Sequence, residues 1–331
     1  MEPRVRDLIE AEDFNALLRV IDGYCAAAGW DELLDFADLC EEAVERGKQM
    51  WPVAAHIDYR IALEAPGDYA AEVLDSPLAR FSLGPLTEVA ASAHTWAEMS
   101  PHLKVPHAAA YIAQERVLRG EDLSEEPGTY PEVLELPLRL EAWEPTYALA
   151  TYKSSLVEVA EPWEPRAPLE EVERSEGEIL DEPELTDALR DLVQPWVSES
   201  NGAARALVVE GTALSAVSAL ALDRVRVGSL EPAEAIQRLA WAAASGGAHG
   251  RRRGAAFGRS LAWHTAALLA DLPWPAPPDD LGAALGELRW FRWDEGEPEE
   301  GWVLRVAVED PHNGWSAAIG ATDLIQSEAA S

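Results

Sequence analysis

Residues 245–259, SGGAHGRRRGAAFGR, constrain this chain more than any other stretch. They place five glycines and four arginines between two alanine-rich apolar segments. Gly250, Gly254 and Gly258 recur every fourth residue, and the period continues through Ala262, Ala266 and Ala270. On a helix, positions i and i+4 lie one above the other, so the pattern predicts one continuous ridge of the smallest side chains. Such a ridge lets a second helix, or a ligand, come within backbone distance. Arg251, Arg252, Arg253 and Arg259 stand beside it, so any close approach meets concentrated positive charge.

That charge is an exception in this chain. The 331 residues carry 26 Lys+Arg against 60 Asp+Glu, a formal net charge of −34, yet residues 201–270 alone carry +4. An acidic surface repels polyanions at long range, which disfavours nucleic acid and an anionic membrane as partners. Imitation of DNA by the acidic face is a weaker reading than the plain one, that charge runs are solvated faces. Cys25 and Cys40 show no CxxC pairing and sit in apolar helical contexts, so they read as reduced core residues of a cytoplasmic protein. The start, MEPRVRDLIE, lacks the basic-then-apolar layout of a signal peptide. The most apolar run, residues 206–222, is broken by Glu210, Gly211 and several hydroxyls. It reads as a buried helix or a strand plus helix, not a membrane span.

The length suits two domains with cores of their own, and the 48% apolar content suits a globular chain. Residues 1–119 are expected to be helical throughout. Phe14, Leu17, Leu18 and Ile21 share one helix face, and Leu33, Leu34, Ala37, Cys40 and Val44 share the next, closed by Gly47. Residues 51–63 make a third helix, stopped at Pro66 and Gly67, and Asp68 caps a short fourth. Residues 86–99 and 108–118 follow. Short turns between helices of this length predict an antiparallel array. Residues 120–182, rich in Glu and Pro, read as an extended connector whose Trp143, Tyr147, Tyr152 and Trp163 lie against the body of the protein. Residues 183–331 form the second domain, helical as far as the stop at residues 273–278 (PWPAPP). Three short strands close the chain at 288–293, 302–309 and 315–321. The fold class is therefore α+β, mostly α, with a helical array followed by a helical domain bearing a small C-terminal antiparallel sheet.

Three readings of the Gly/Arg stretch stand side by side. In the first, the glycines permit close packing and the arginines pair with the chain's own carboxylates. In the second, guanidinium forks and the N–H groups of a helix start hold a phosphate or carboxylate. Gly247, His249, Gly250, Arg251, Arg252, Arg253 and Arg259 are then the ligand contacts. In the third, the face receives an acidic protein or RNA. Neither a Walker loop nor a dinucleotide fingerprint is present. Glu210, inside VVEGTAL, is costly to bury alone and is expected to pair with an arginine of the ridge. Glu210, His249 and His264 are the acid/base candidates of an enzyme reading, with His264 three turns beyond Arg252 on one helical stripe. His94 and Glu98 lie one turn apart, and His102 and His107 follow, but no strict ligand spacing occurs. No metal and no cofactor is expected.

The pieces LGPLTEVAASAHTWAEM (residues 83–99), ERVLRGEDL (115–123), SGGAHGRRRGAAFGR and the terminal RWFRWD, GWVLRVAVEDP and following Trp span most of the chain. With them the sequence resembles a family of uncharacterised bacterial proteins of unknown function carrying a GGAHGRRRG-type Gly/Arg stretch. That resemblance implies no activity and no catalytic residue. The leading expectation is an intracellular binding protein that holds an anionic small molecule or an acidic partner at an Arg-rich helix start. A hydrolase-type enzyme acting on a phosphorylated or carboxylated substrate is the rival. A helical interaction scaffold, with an apolar patch around Trp51 and Trp96, is the third. Oligomeric state is not legible.

Overall fold

The computed structural model describes residues 3–76, 81–162, 164–221, 224–296 and 301–324. Trp163 and part of the acidic turn between the strands at 294 and 302 lie outside the described residues. The chain forms two compact units interleaved in sequence, Met1–Leu134 with Ala150–Val159, and Glu135–Leu149 with Ala160–Ser331.

The first unit is helical: α1 (Pro3–Ala11), α2 (Phe14–Ala27), α3 (Trp30–Glu45), α4 (Trp51–Glu64), α5 (Gly67–Glu72), α6 (Leu86–Ala93), α7 (Trp96–Met99) and α8 (Pro106–Leu118). Asp13 starts α2 by accepting the Ala16 N–H at 3.0 Å, and Leu17 and Ile21 carry its apolar face into the core. α4 is the hub, packed against α2, α3, α5 and α6. It is buried on every side from Val53 to Ala62, with only His56 half-covered. The run read as one helix, residues 86–99, is two. Thr95 accepts the Glu98 N–H while the Glu98 carboxylate accepts the Thr95 N–H, a reciprocal cap that starts a new helix at Trp96. Trp96 is 3% exposed, whereas Trp51 is 39% exposed and rests on Phe81. Of the two tryptophans expected on an apolar patch, only Trp51 is at the surface. A hairpin, β1 (Ala150–Lys153) with β2 (Leu156–Val159), completes the unit. Tyr152 donates to the buried Glu88 at 2.7 Å and Tyr59 donates to the Lys153 carbonyl. The stretch 120–182 thus contains strands as well as extended chain.

The second unit is built on a sheet. Its elements are β3 (Glu170–Glu171), β4 (Glu178–Leu180), α9 (Pro183–Asp191), α10 (Gln194–Ser198), β5 (Ala203–Glu210), α11 (Ala213–Leu220), β6 (Arg226–Leu230), α12 (Pro232–Ala244), α13 (Ala255–Leu269), α14 (Pro278–Glu287), β7 (Arg289–Asp294), β8 (Trp302–Asp310) and β9 (Trp315–Asp323). Among the described residues the sheet has seven strands in the order β3-β6-β7-β8-β9-β5-β4, every pairing antiparallel. The α+β class holds, but the expected small C-terminal sheet is corrected. β7, β8 and β9 form its centre, and β5 and β6 come from the segment between residues 203 and 230. β5 pairs with β9 along its whole length, from Ala203 opposite Thr322 to Glu210 opposite Trp315. The apolar run at 206–222 divides into strand and helix at Gly211, whose φ of +126° turns the chain. α11 then folds back over Leu207, Val209, Trp293, Ala307 and Ala318. Leu304, Val306 and Val308 alternate with that set and are buried on the opposite face, where α12 meets β6, β7 and β8 and α9 meets β5 and β9. α13 packs along α12 and against α9.

Candidate functional site: the Gly/Arg loop

The stretch expected as one ridge is a loop followed by a helix. α12 ends at Ala244, and Gly254, with φ +94°, is the residue before α13. Gly250 and Gly254 therefore lie off the helix, because a left-handed backbone cannot continue one. What remains of the ridge, Gly258 with Ala262 and Ala266, is occupied. A Cβ on Gly258 would run into the Ala240 carbonyl oxygen and sit 2.8 Å from the Ala244 Cβ. α12 fills the groove that the small side chains leave, and Ala262 and Ala266 are fully buried. The close approach predicted for a partner is made by the protein itself.

Two of the four arginines fasten the fold. Arg259 is fully buried and its fork meets Glu144, Nε to Oε2 at 2.8 Å and Nη2 to Oε1 at 2.6 Å. It also donates to the Pro137 carbonyl at 3.0 Å and the Arg139 carbonyl at 2.9 Å. The Trp263 indole and the Tyr147 hydroxyl also donate to Glu144. Burial alone would raise the Glu144 carboxyl, but the Arg259 guanidinium outweighs it and holds the group below its usual range. The assignment of Arg259 to a ligand is thus corrected, since its donors are spent on pinning residues 137–147 to α13. Arg253 caps two helix ends. Its Nε donates to the Ala243 carbonyl at 2.8 Å, and its Nη2 donates to the Asp191 and Leu192 carbonyls at 3.1 and 2.9 Å. Lysine or arginine on terminal carbonyls suits the negative end of a helix. The guanidinium lies over the Phe257 ring. Burial pulls its pKa down to about 10, so it remains charged at neutral pH.

The loop between is braced from inside. Ser245 Oγ accepts the Gly247 N–H at 2.9 Å and the Trp196 indole N–H at 3.1 Å. Asp323, fully buried at the end of β9, accepts the Ala248 N–H at 2.6 Å and the Ser200 hydroxyl at 3.0 Å. Glu199 accepts the Arg251 N–H at 3.0 Å. Gly247 has φ +73°, and a Cβ there would strike the Asp323 carboxylate and lie 3.1 Å from the Trp196 ring. Within this frame His249 and Arg251 are exposed, and Gly247, Gly250 and Arg252 are half-buried. Sequence reasoning found the loop and missed its frame, because Asp323 is 75 residues from Ala248 and Glu144 is 115 from Arg259.

The acid/base candidates are not gathered. Glu210 is exposed at the end of β5, its backbone opposite Trp315. The expected burial and its arginine partner are corrected: the strand ends there, so the side chain needs no compensating charge. His264 sits on α13, half-buried and edge-on to Trp274 at 5.2 Å, and Arg252 lies before the helix, so the two share no helical stripe.

No helix among the described residues is long and apolar enough to cross a membrane. No curated protein and no solved structure matches the chain. One family sequence model does, over residues 15–324, from α2 to just past β9, and it covers both units. On that match the chain belongs to a family of unknown function, DUF6183.

Proposed function

We propose that this chain is a binding protein that receives an anionic small molecule, or the acidic surface of a partner, on the outer rim of the loop between α12 and α13. The observation that supports this is a solvent-facing basic rim on a loop whose backbone is braced from inside. Ser245, Asp323 and Glu199 take its backbone N–H groups, and Arg253 is spent on helix ends. His249 and Arg251 are exposed and Arg252 is half-buried on that braced backbone. Guanidinium groups on a preorganised loop lose less entropy on meeting a carboxylate or phosphate than groups on a mobile one. In a chain of net charge −34, a local basic rim also selects small anions over polyanions, which the remaining surface repels. Cys25 and Cys40 carry free thiols, in keeping with a protein that works in the reducing cytoplasm.

Thermal-shift titration with inorganic phosphate, nucleotides and di- and tricarboxylic acids tests the proposal. A ligand that raises the midpoint of the wild type should lose that effect in the Arg251→Ala, Arg252→Ala variant. Equal shifts in both proteins would place the anion elsewhere.

A further inference from the structure

Of the three asparagines in the chain, Asn201 and Asn313 are each followed by glycine. An Asn-Gly pair carries its own chemistry. The glycine amide nitrogen can attack the asparagine side-chain carbonyl carbon, and a residue without a Cβ hinders that approach least. The nitrogen–Cγ bond forms, the Cγ–Nδ2 bond breaks, and ammonia leaves with the proton from the glycine nitrogen. Water then opens the ring. Addition at the side-chain carbonyl gives aspartate. Addition at the main-chain carbonyl gives isoaspartate, in which the backbone runs through Cγ and is one methylene longer.

The two pairs differ in how the asparagine is held. Asn313 lies in the turn between β8 and β9, where its Nδ2 donates to the Asp310 carboxylate at 2.8 Å and its N–H donates to the same group at 2.9 Å. The Gly314 N–H donates to the Asp310 carbonyl at 3.0 Å. Cyclisation there must break the side-chain bond as well as the glycine one. Asn201 is exposed in the loop before β5, and its side chain makes no hydrogen bond among the described residues. The restraint on this pair is the bond from the Gly202 N–H to the Trp196 carbonyl at 2.9 Å. Gly202, however, has no room to shift. A Cβ on it would lie 2.8 Å from the Trp196 carbonyl oxygen, 2.9 Å from the Thr322 carbonyl oxygen and 3.0 Å from the Asp323 Cβ. A longer backbone between Asn201 and Gly202 therefore displaces the start of β5 or Ser200, whose hydroxyl donates to Asp323 at 3.0 Å. Asp323 in turn accepts the Ala248 N–H at 2.6 Å, so the displacement reaches the Gly/Arg loop.

We infer that Asn201 is a modification site: it converts spontaneously, by attack of the Gly202 nitrogen, to a mixture containing isoaspartate, and the inserted methylene loosens the brace formed by Ser200, Asp323 and Ala248. Water is the only co-reactant. The Arg251 rim need not bind an anion for this rearrangement to occur.

Peptide mapping by mass spectrometry on the full chain, held at pH 8 and sampled over time, follows both sites at once. Loss of the amide at Asn201 should run at least about fivefold faster than at Asn313, the scale of the one extra hydrogen bond that Asn313 must break. Hydrogen exchange then reads the consequence. In aged wild type, peptides covering residues 246–252 should exchange faster than in Asn201→Ser protein aged alongside. That variant cannot cyclise at position 201 and controls for change at Asn313. Freshly prepared Asn201→Asp adds the charge without lengthening the chain and should exchange like fresh wild type. Reaction at Asn201 no faster than at Asn313, or equal exchange in aged wild type and aged Asn201→Ser, would overturn the inference. So would fast exchange in fresh Asn201→Asp, which would trace the loosening to charge and not to the longer backbone.

Discussion

The ion pair of Arg259 and Glu144 is wholly buried, and the hydrogen bonds around it offset the cost of its desolvation. Removing one partner leaves a buried charge uncompensated, at a cost of about 3–5 kcal/mol. Glu144→Ala should therefore lower the urea midpoint sharply. The paired change Arg259→Met with Glu144→Leu should not restore the wild-type midpoint, because the Pro137 and Arg139 carbonyls, the Tyr147 hydroxyl and the Trp263 indole then lose their partners. Asp58 is the opposite case. It is 4% exposed, and its Oδ2 accepts the Ser76 hydroxyl at 2.6 Å, but burial outweighs that bond and lifts its pKa to about 6. The folded state then holds a proton that the unfolded chain has released between pH 3.8, the reference value, and about 6. Stability therefore falls as pH rises through that window, by about 3 kcal/mol in total, and stays reduced above it. Unfolding free energies at pH 4 and pH 7.5 should show wild type losing most of this amount relative to Asp58→Asn. Equal pH dependence in the two proteins would contradict it.

Among the elements, the α12–α13 pair depends on one atom that is absent. Gly258→Ala forces a methyl against the Ala240 carbonyl and Ala244, both fixed in a helix, and should destabilise by about 1–3 kcal/mol. Gly286, near the end of α14, has nothing within 4 Å of an added Cβ. There the same change should stabilise by about 0.5–1 kcal/mol through helix propensity. Thermal midpoints of the two variants should move in opposite directions. In the first unit α2 was legible because it buries one stripe, at Leu17 and Ile21, whereas α4, buried all round, was legible from its length and the stop at Pro66 and Gly67. The break at Thr95 was legible too, in the T-x-x-E spacing, but a hydrophobic run on both sides hides it. β5 and β6 were not legible as members of the sheet that holds β7–β9. An apolar run such as ALVV suits a buried helix as well as a strand, and the choice rests on a partner, β9, more than a hundred residues away.

For the molecule as a whole, the net charge of −34 opposes compaction. The Debye length falls from roughly 30 Å at 0.01 M salt to 3 Å at 1 M, so the thermal midpoint should rise by several degrees across that range. An unchanged midpoint in calorimetry would show the carboxylates already too far apart to interact. The sequence by itself determined the helical first unit, the three C-terminal strands, the acidic surface and the oddity of the Gly/Arg stretch, because each follows from neighbours in the chain. Only the tertiary structure decided what that stretch does inside the protein. Glycines at a spacing of four read alike whether their groove awaits a visitor or is filled by α12. An arginine reads alike whether it faces water or Glu144. The difference lies in contacts between residues far apart in sequence, which no local pattern records.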